Sequence, residues 1–216
     1  MKRGGVILLT GFEPFGGEHI NPSWEVARAL DGELIAGARV QALQLPCVFG
    51  AALQGLAQGI AQHRPAMVLA LGQAAGRSEL SVERVAINVD DARIADNRGS
   101  QPIDEAVIAG APAAYFSTLP IKSMVAALRV AGYPAGVSQS AGTFVCNHLF
   151  YGMQHQLAGS EVRSGFLHIP LLPQQAALQP GQPSMALETM IAGVRLALGV
   201  AWRVRNDVRQ GGGTIA

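Results

Sequence analysis

Val6-Ile7-Leu8-Leu9-Thr10 is followed by Gly11-Phe12-Glu13-Pro14-Phe15-Gly16-Gly17 and then by Asn21-Pro22-Ser23. The first five residues form an apolar run, the pattern of a strand buried on both faces. Glycine and proline then turn the chain into a loop. Asn21 is placed to cap a helix through Leu30, with Pro22 at the first helical position, where a missing N–H is harmless. Strand, glycine-rich loop and helix together open an α/β unit.

The alternation continues along the chain. Val40 to Leu45 reads as a strand stopped by Pro46. Phe49, Ala52, Leu56 and Ile60 mark one face of a helix. Met67 to Leu71 is a second buried run, closed by Gly72. Leu80 to Asp90 reads as extended, and Asp91 to Pro120, rich in Gly, Pro and Asp, as a surface-wrapping segment. A helix is predicted over Ile121 to Ala131 and a strand over Gly136 to Gln139. A helix capped by Thr143 follows, running to about Ala158, then a strand over Gly165 to Ile169. After Ser184 a last helix carries Leu187, Ile191, Val194, Leu198 and Trp202 on one stripe. Gly211-Gly212-Gly213 reads as a flexible tail. The pattern predicts one α/β domain over 1–216, with a largely parallel sheet covered on both faces. Ligands of such sheets bind beyond the carboxyl ends of the strands.

The chain has 216 residues, 49% of them hydrophobic, and a net charge of +1. That charge argues against a protein that binds nucleic acid by neutralising phosphates. Only 14% of residues are charged, against about 25% in ordinary domains, which favours a homo-oligomer that hides part of its surface. The run Val6 to Leu9 is too short for a signal-peptide core, and the uncharged stretch Val40 to Gln62 is broken by Pro46, Gln and Gly, so no membrane association is expected. Cys47 and Cys146 make no disulfide framework, and a reducing, cytoplasmic compartment is the default. Neither a metal-ligand spacing nor a dinucleotide fingerprint occurs, and Gly11 to Gly17 lacks the Gly-Lys-Ser/Thr ending of a P-loop, so no metal or cofactor is expected.

Several residues can carry chemistry. With Thr143 as cap, Cys146 falls in the first turn of a helix, where the dipole and free amides lower a thiol pKa and can hold an oxyanion. A buried apolar cysteine is the plainer reading. Of the five histidines, His148 points away from Cys146 on the same helix, His155 reads as solvated, His19 lies in a loop and His63 near a helix end. His168 ends a buried strand, where α/β active sites lie, although a lone histidine among apolar residues is also often a satisfied core side chain. Glu83 is a charge inside an apolar strand. By spacing alone it is a partner for Arg84 or an edge residue. Phe12 and Phe15 are core residues or the wall of a pocket.

Longer segments carry a resemblance. Leu8 to Gly17 with Asn21-Pro22-Ser23-Trp24, Gly72 to Arg77 with Leu80 to Asn88, Ser138 to Gly152, and Phe166-Leu167-His168-Ile169-Pro170 resemble, in order and spacing, the signatures of the type I pyroglutamyl peptidases. The resemblance implies an α/β/α sandwich with a mostly parallel sheet. It also implies a cytosolic, metal-free cysteine peptidase, commonly a homotetramer, that removes N-terminal pyroglutamate from peptides. It makes Cys146 the nucleophile, His168 the base and Glu83 its orienting partner, with Arg93 and the Cys146 amide at the oxyanion. The pocket for the pyroglutamyl ring would involve Phe12, Phe15, Gln73, Ile94, Phe144 and Val145. Ala75 stands where the family usually has Gly, Ala95 where Pro usually precedes Asp96-Asn97, and Cys47 where relatives often have Thr near the ring. Two rivals remain: a binding protein with a redox-sensitive Cys146, and a nucleoside phosphorylase-like transferase on a similar scaffold.

Overall fold

The computed structural model describes residues 4–213. In chain order its elements are β1 (Val6–Phe12), α1 (Pro22–Ala29), β2 (Leu34–Ile35), β3 (Ala38–Leu45), α2 (Ala51–His63), β4 (Met67–Gln73), β5 (Leu80–Glu83), β6 (Val85–Ile87), β7 (Ala114–Phe116), α3 (Ile121–Val130), β8 (Ala135–Ser138), α4 (Val145–Gln156), β9 (Arg163–Ile169), α5 (Pro173–Ala176) and α6 (Leu187–Arg203). Seven strands form one sheet in the order β2-β3-β1-β4-β9-β5-β8, and β6 pairs with β7 apart from it. Within the large sheet β3, β1, β4 and β9 are parallel, and β5 and β8 are parallel to each other. The step from β9 to β5 is antiparallel, as is the short β2–β3 hairpin.

The apolar strands feed two cores. Ile7, Leu9, Met67, Leu69, Leu71, Leu80, Val82, Leu167 and Ile169 pack on one face against α1, α3 and α6. Leu8, Phe12, Val68, Ala70 and Phe166 pack on the other against α2 and α4. This alternation at a period of two inside continuous apolar runs is what a sheet covered on both sides requires. Ile7, Leu8 and Leu9 have no exposed surface, and each such side chain contributes about 1.5–3 kcal/mol of burial.

Several local expectations are corrected. The cap of α4 is Phe144, which offers no side-chain acceptor. Thr143 instead pairs with Asp91: its hydroxyl donates to the Asp91 carbonyl at 2.7 Å, and its carbonyl accepts from the Asp91 amide at 2.9 Å. Phe49 lies before α2 rather than on its face. The expected surface-wrapping segment holds one short strand, β7, and α5 arises where no helix was read. The glycine tail is pinned in part, since the Gly212 carbonyl accepts from Arg84 at 2.9 Å and Gln139 at 3.2 Å. Asn21 caps α1 as read, its side chain accepting from the Ser23 amide.

The cap of α3 comes from far along the chain. Pro120 at its start offers no side-chain acceptor. Asp207, beyond α6, accepts from the Lys122 amide at 2.9 Å and from the Ser123 amide and hydroxyl at 2.8 Å each. Burial alone would raise this carboxyl, but hydrogen bonds from Lys122, Ser123 and Val208 outweigh it and hold it below the ordinary value. Its contribution is therefore present above the unfolded-state pKa and is lost as pH falls through the lower folded-state value. Asp207→Ala is expected to cost about 1 kcal/mol at neutral pH. Urea unfolding should show that difference shrinking in acid; equal stabilities at neutral pH would contradict the capping role.

Candidate active site

The candidate residues converge on the sheet face covered by α2 and α4. In the β4–β9 pair Gly72 lies opposite His168, and in the β5–β9 pair Ser81 does. Glu83, two residues beyond Ser81, shares its face and meets His168 diagonally across the antiparallel pair. The Glu83 side chain has no exposed surface, and its Oε1 is 2.8 Å from His168 Nδ1. A carboxylate can only accept, so Nδ1 carries the hydrogen and Nε2 offers a lone pair. The imidazole is itself buried and packs on the Phe166 ring at 4.8 Å between centroids. Burial pushes its pKa below the ordinary value, and the opposing influence of Glu83 does not restore it.

Cys146 is the second residue of α4, with only part of its side chain exposed. An N–H in a first helical turn has no intrahelical acceptor and is free for another. The side chain lies directly over Gly72: a Cβ added there would be 2.8 Å from Cys146 Sγ and 2.8 Å from the Phe166 ring. Gly72 thus lets the sulfur settle onto the strand next to His168. The expected depression of the thiol pKa does not occur. Burial, reinforced by the Glu83 charge and only partly offset by Arg77, pushes it up to about 12. Both shifts favour the uncharged forms, a thiol at Cys146 and an imidazole at His168.

α4 is fixed by its next two residues. Asn147 accepts from the Ile87 amide and donates to the Ile87 and Val89 carbonyls, bonding β6 as a strand neighbour would. His148 Nδ1 is 2.7 Å from Asp90 Oδ2, and its Nε2 accepts from the Gly50 amide at 2.9 Å. Both of its nitrogens are therefore occupied. His155 is exposed, its Nδ1 2.9 Å from the Tyr115 hydroxyl.

Beside the start of α4 is a cleft of about 330 Å³ lined by Arg93, Ile94, Thr143 and Phe144 with Asp91 and Gly142. Phe144 packs against Phe15 at 6.1 Å and edge-on against Phe49 at 5.4 Å. Arg93 and Ile94 are exposed. Phe12 and Val145 are buried in the layer beneath. Gln73 ends β4, its Oε1 accepting from Gln175 at 3.1 Å. The Cys47 amide donates to Glu13 Oε1, and burial pushes its thiol far above the ordinary value. Glu13 Oε1 also accepts from Asn97, and Asp96 Oδ2 accepts from the Phe49 amide, so the loops after β1, β3 and β6 are tied together.

Sequence reasoning gave no role to Arg77, whose Nη1 is 2.8 Å from Glu83 Oε1, nor to Asn147, Glu13 or Phe49. Arg77 and Asn147 lie inside the quoted signatures, but their contacts span loops that spacing does not bring together. The suspected partner of Glu83, Arg84, bonds the glycine tail instead. The thiol state is directly measurable. Alkylation of Cys146 by iodoacetamide should keep accelerating above about pH 8, whereas a plateau from about pH 5 upward would show a preformed thiolate and contradict this electrostatic reading.

Comparison with known proteins accords with this geometry. A family model described as Pyroglutamyl peptidase matches residues 5–204. A pyrrolidone-carboxylate peptidase of Cupriavidus taiwanensis is 62% identical over 212 residues, covering 97% of this chain and 98% of the relative. One from Escherichia fergusonii is 59% identical over 208 residues, covering 96% and 97%. The crystal structure of pyroglutamyl peptidase I from Bacillus amyloliquefaciens superposes with a TM-score of 0.94 at 43% identity, over 96% of this chain and 100% of that one. A chain matched along nearly its whole length in both sequence and fold belongs to the pyroglutamyl peptidase family.

Proposed function

We propose that the protein hydrolyses the bond after an N-terminal pyroglutamyl residue of peptides, with Cys146 as nucleophile, His168 as general base and acid, and Glu83 as the group that orients it. Family membership supports the reaction. The observation that carries the assignment of residues is the buried Glu83–His168 hydrogen bond beside a sulfur at the start of α4.

The chemistry follows from the neutral resting pair. His168 Nε2 takes the Sγ proton as sulfur attacks the carbonyl, which keeps a free thiolate from forming in a buried place. The Cys146 amide and Arg93 receive the oxyanion, which is usually a large share of catalysis. The imidazolium, steadied by Glu83, gives its proton to the leaving amine. Water, deprotonated by His168, then cleaves the thioester, releasing pyroglutamate and restoring the thiol.

The pocket logic is one of polarity. A lactam ring is neutral, with one N–H and one C=O. Ile94 and Phe144 line the cleft, Phe15 packs on Phe144, and Phe12, Val145 and Cys47 are buried apolar residues of the same core, with Gln73 the polar partner carried over from the family resemblance. An ordinary N-terminus would bring a charged amine into the same space and lose its water without compensation. A phosphorylase-like transferase or a simple binder would have no use for the thiol–imidazole–carboxylate set.

The large sheet draws strands from both halves of the chain, which supports one catalytic domain over 1–216. Two free cysteines and a nucleophile that must stay reduced favour the cytoplasm. Among the described residues no helix is long and apolar enough to cross a membrane. Low charge content and exposed Leu34 and Phe116 favour self-association, and the family resemblance makes the assembly a homotetramer, to be checked by sedimentation.

Fluorophore release from a pyroglutamyl amide tests the reaction, with prolyl and free glutamyl amides as controls. Only the first should be cleaved. Cys146→Ala and His168→Ala should each lose at least ~10³-fold in kcat without unfolding; substantial remaining activity would remove that residue from its role. Gly72→Ala should lower kcat by about 10²-fold, because its Cβ would displace the sulfur. Wild-type turnover in that variant would contradict the seating of Cys146 described above.

A further inference from the structure

A carboxylate with no exposed surface needs compensation for its lost hydration, and a neutral imidazole does not supply it. Arg77 does. It precedes β5 and reaches Glu83 from the side, with about a quarter of its side chain exposed. Its Nη1 donates at 2.8 Å to Oε1, the same oxygen that faces His168 Nδ1. Oε2 has no hydrogen-bond partner among the described residues. The other arm of the guanidinium, Nη2, donates at 3.0 Å to the Ser140 carbonyl. Ser140 lies in the loop from β8 to α4, where its hydroxyl accepts from the Gly142 amide and its carbonyl from the Ser138 hydroxyl. One planar cation therefore ties the buried acid to the loop that delivers Cys146.

We propose that Arg77 is a positioning residue of the catalytic site: it fixes which oxygen of the buried Glu83 faces His168, and through Ser140 sets the approach of the loop that carries Cys146. The inference rests on the Glu83–His168–Cys146 reading above. Two acceptors on separate segments call for a fork of donors, which arginine has and lysine lacks. The electrostatics point the same way. The charged groups that act on His168 are Glu83 from β5 and Arg77 from the loop before it. Arg77 holds the proton affinity of both the imidazole and the thiol down. Removing it should raise both, so that His168 protonates at a higher pH and the acid limb of kcat/KM moves upward.

The test uses the full chain, with kcat, KM and pH profiles for Arg77→Met, Arg77→Lys, Glu83→Gln and the Arg77→Met/Glu83→Gln double variant. Arg77→Met should lower kcat about 10–100-fold, leave KM within about twofold, and move the acid limb up by about one pH unit. Arg77→Lys should keep the limb near its wild-type position with an intermediate kcat, because charge returns but the second acceptor is lost. Adding Arg77→Met to Glu83→Gln should cost only the part that runs through Ser140, less than Arg77→Met costs in the wild-type background. Wild-type kcat and pH profile in Arg77→Met, or a loss fully additive with Glu83→Gln, would overturn the proposal. So would a kcat loss that only tracks the folded fraction and leaves the limb unmoved. If Arg77→Met does not fold, Arg77→Lys decides: a lowered kcat with an unmoved limb supports the role, and a wild-type kcat overturns it. Full activity in Glu83→Gln would instead sink the underlying triad.

Discussion

The hydrogen bond between Glu83 and His168 is the constraint around which the site is organised. It joins two buried strands at the one step where the main run of parallel strands reverses direction. That reversal sets Glu83 diagonally beside His168 on the face toward α4. On the other side of His168, β4 contributes Gly72, a residue without a side chain, and the Cys146 sulfur occupies the space left free. Acid, imidazole and thiol thus come from β5, β9 and α4, elements far apart in sequence. Their arrangement depends on sheet register more than on loop conformation.

Two opposing effects meet at Cys146. A helix N-terminus favours a thiolate, while burial and the negative charge of Glu83 oppose it. Burial wins here, since the thiol lies far above the ordinary range and the imidazole below it. In the proposed reaction the proton therefore stays on sulfur until a substrate carbonyl is present, and proton transfer to His168 activates the thiol.

Much of the architecture was legible in the sequence. Continuous apolar runs at Val6 to Thr10 and Met67 to Leu71 read as strands buried on both sides, and they form β1 and the core of β4. Asn21-Pro22 announced a helix start because its chemistry is local. Apart from the start of α2 and the short α5, the misreadings were of non-local partners. Thr143 looked like a cap, yet its hydroxyl is drawn to Asp91, and α3 is capped by Asp207 from the other end of the chain. The candidate site divides in the same way. Glu83, Cys146 and His168 stood out through motif resemblance, while spacing alone pointed Glu83 toward Arg84. The roles of Arg77, Asn147 and His148 depend on loops folding against one another, and no periodicity encodes that. The thiol state was misjudged because a sequence displays the helix start but not the depth of burial.

The central claim is that His168 rests as a neutral imidazole with its hydrogen on Nδ1, held there by Glu83 and leaving Nε2 to take the proton of Cys146. Heteronuclear NMR of the histidine side-chain nitrogens, with His168→Asn for assignment, observes this state directly. The account predicts a downfield Nδ1–H resonance at neutral pH and an unprotonated Nε2. An imidazolium at neutral pH, or a hydrogen on Nε2 alone, would contradict it.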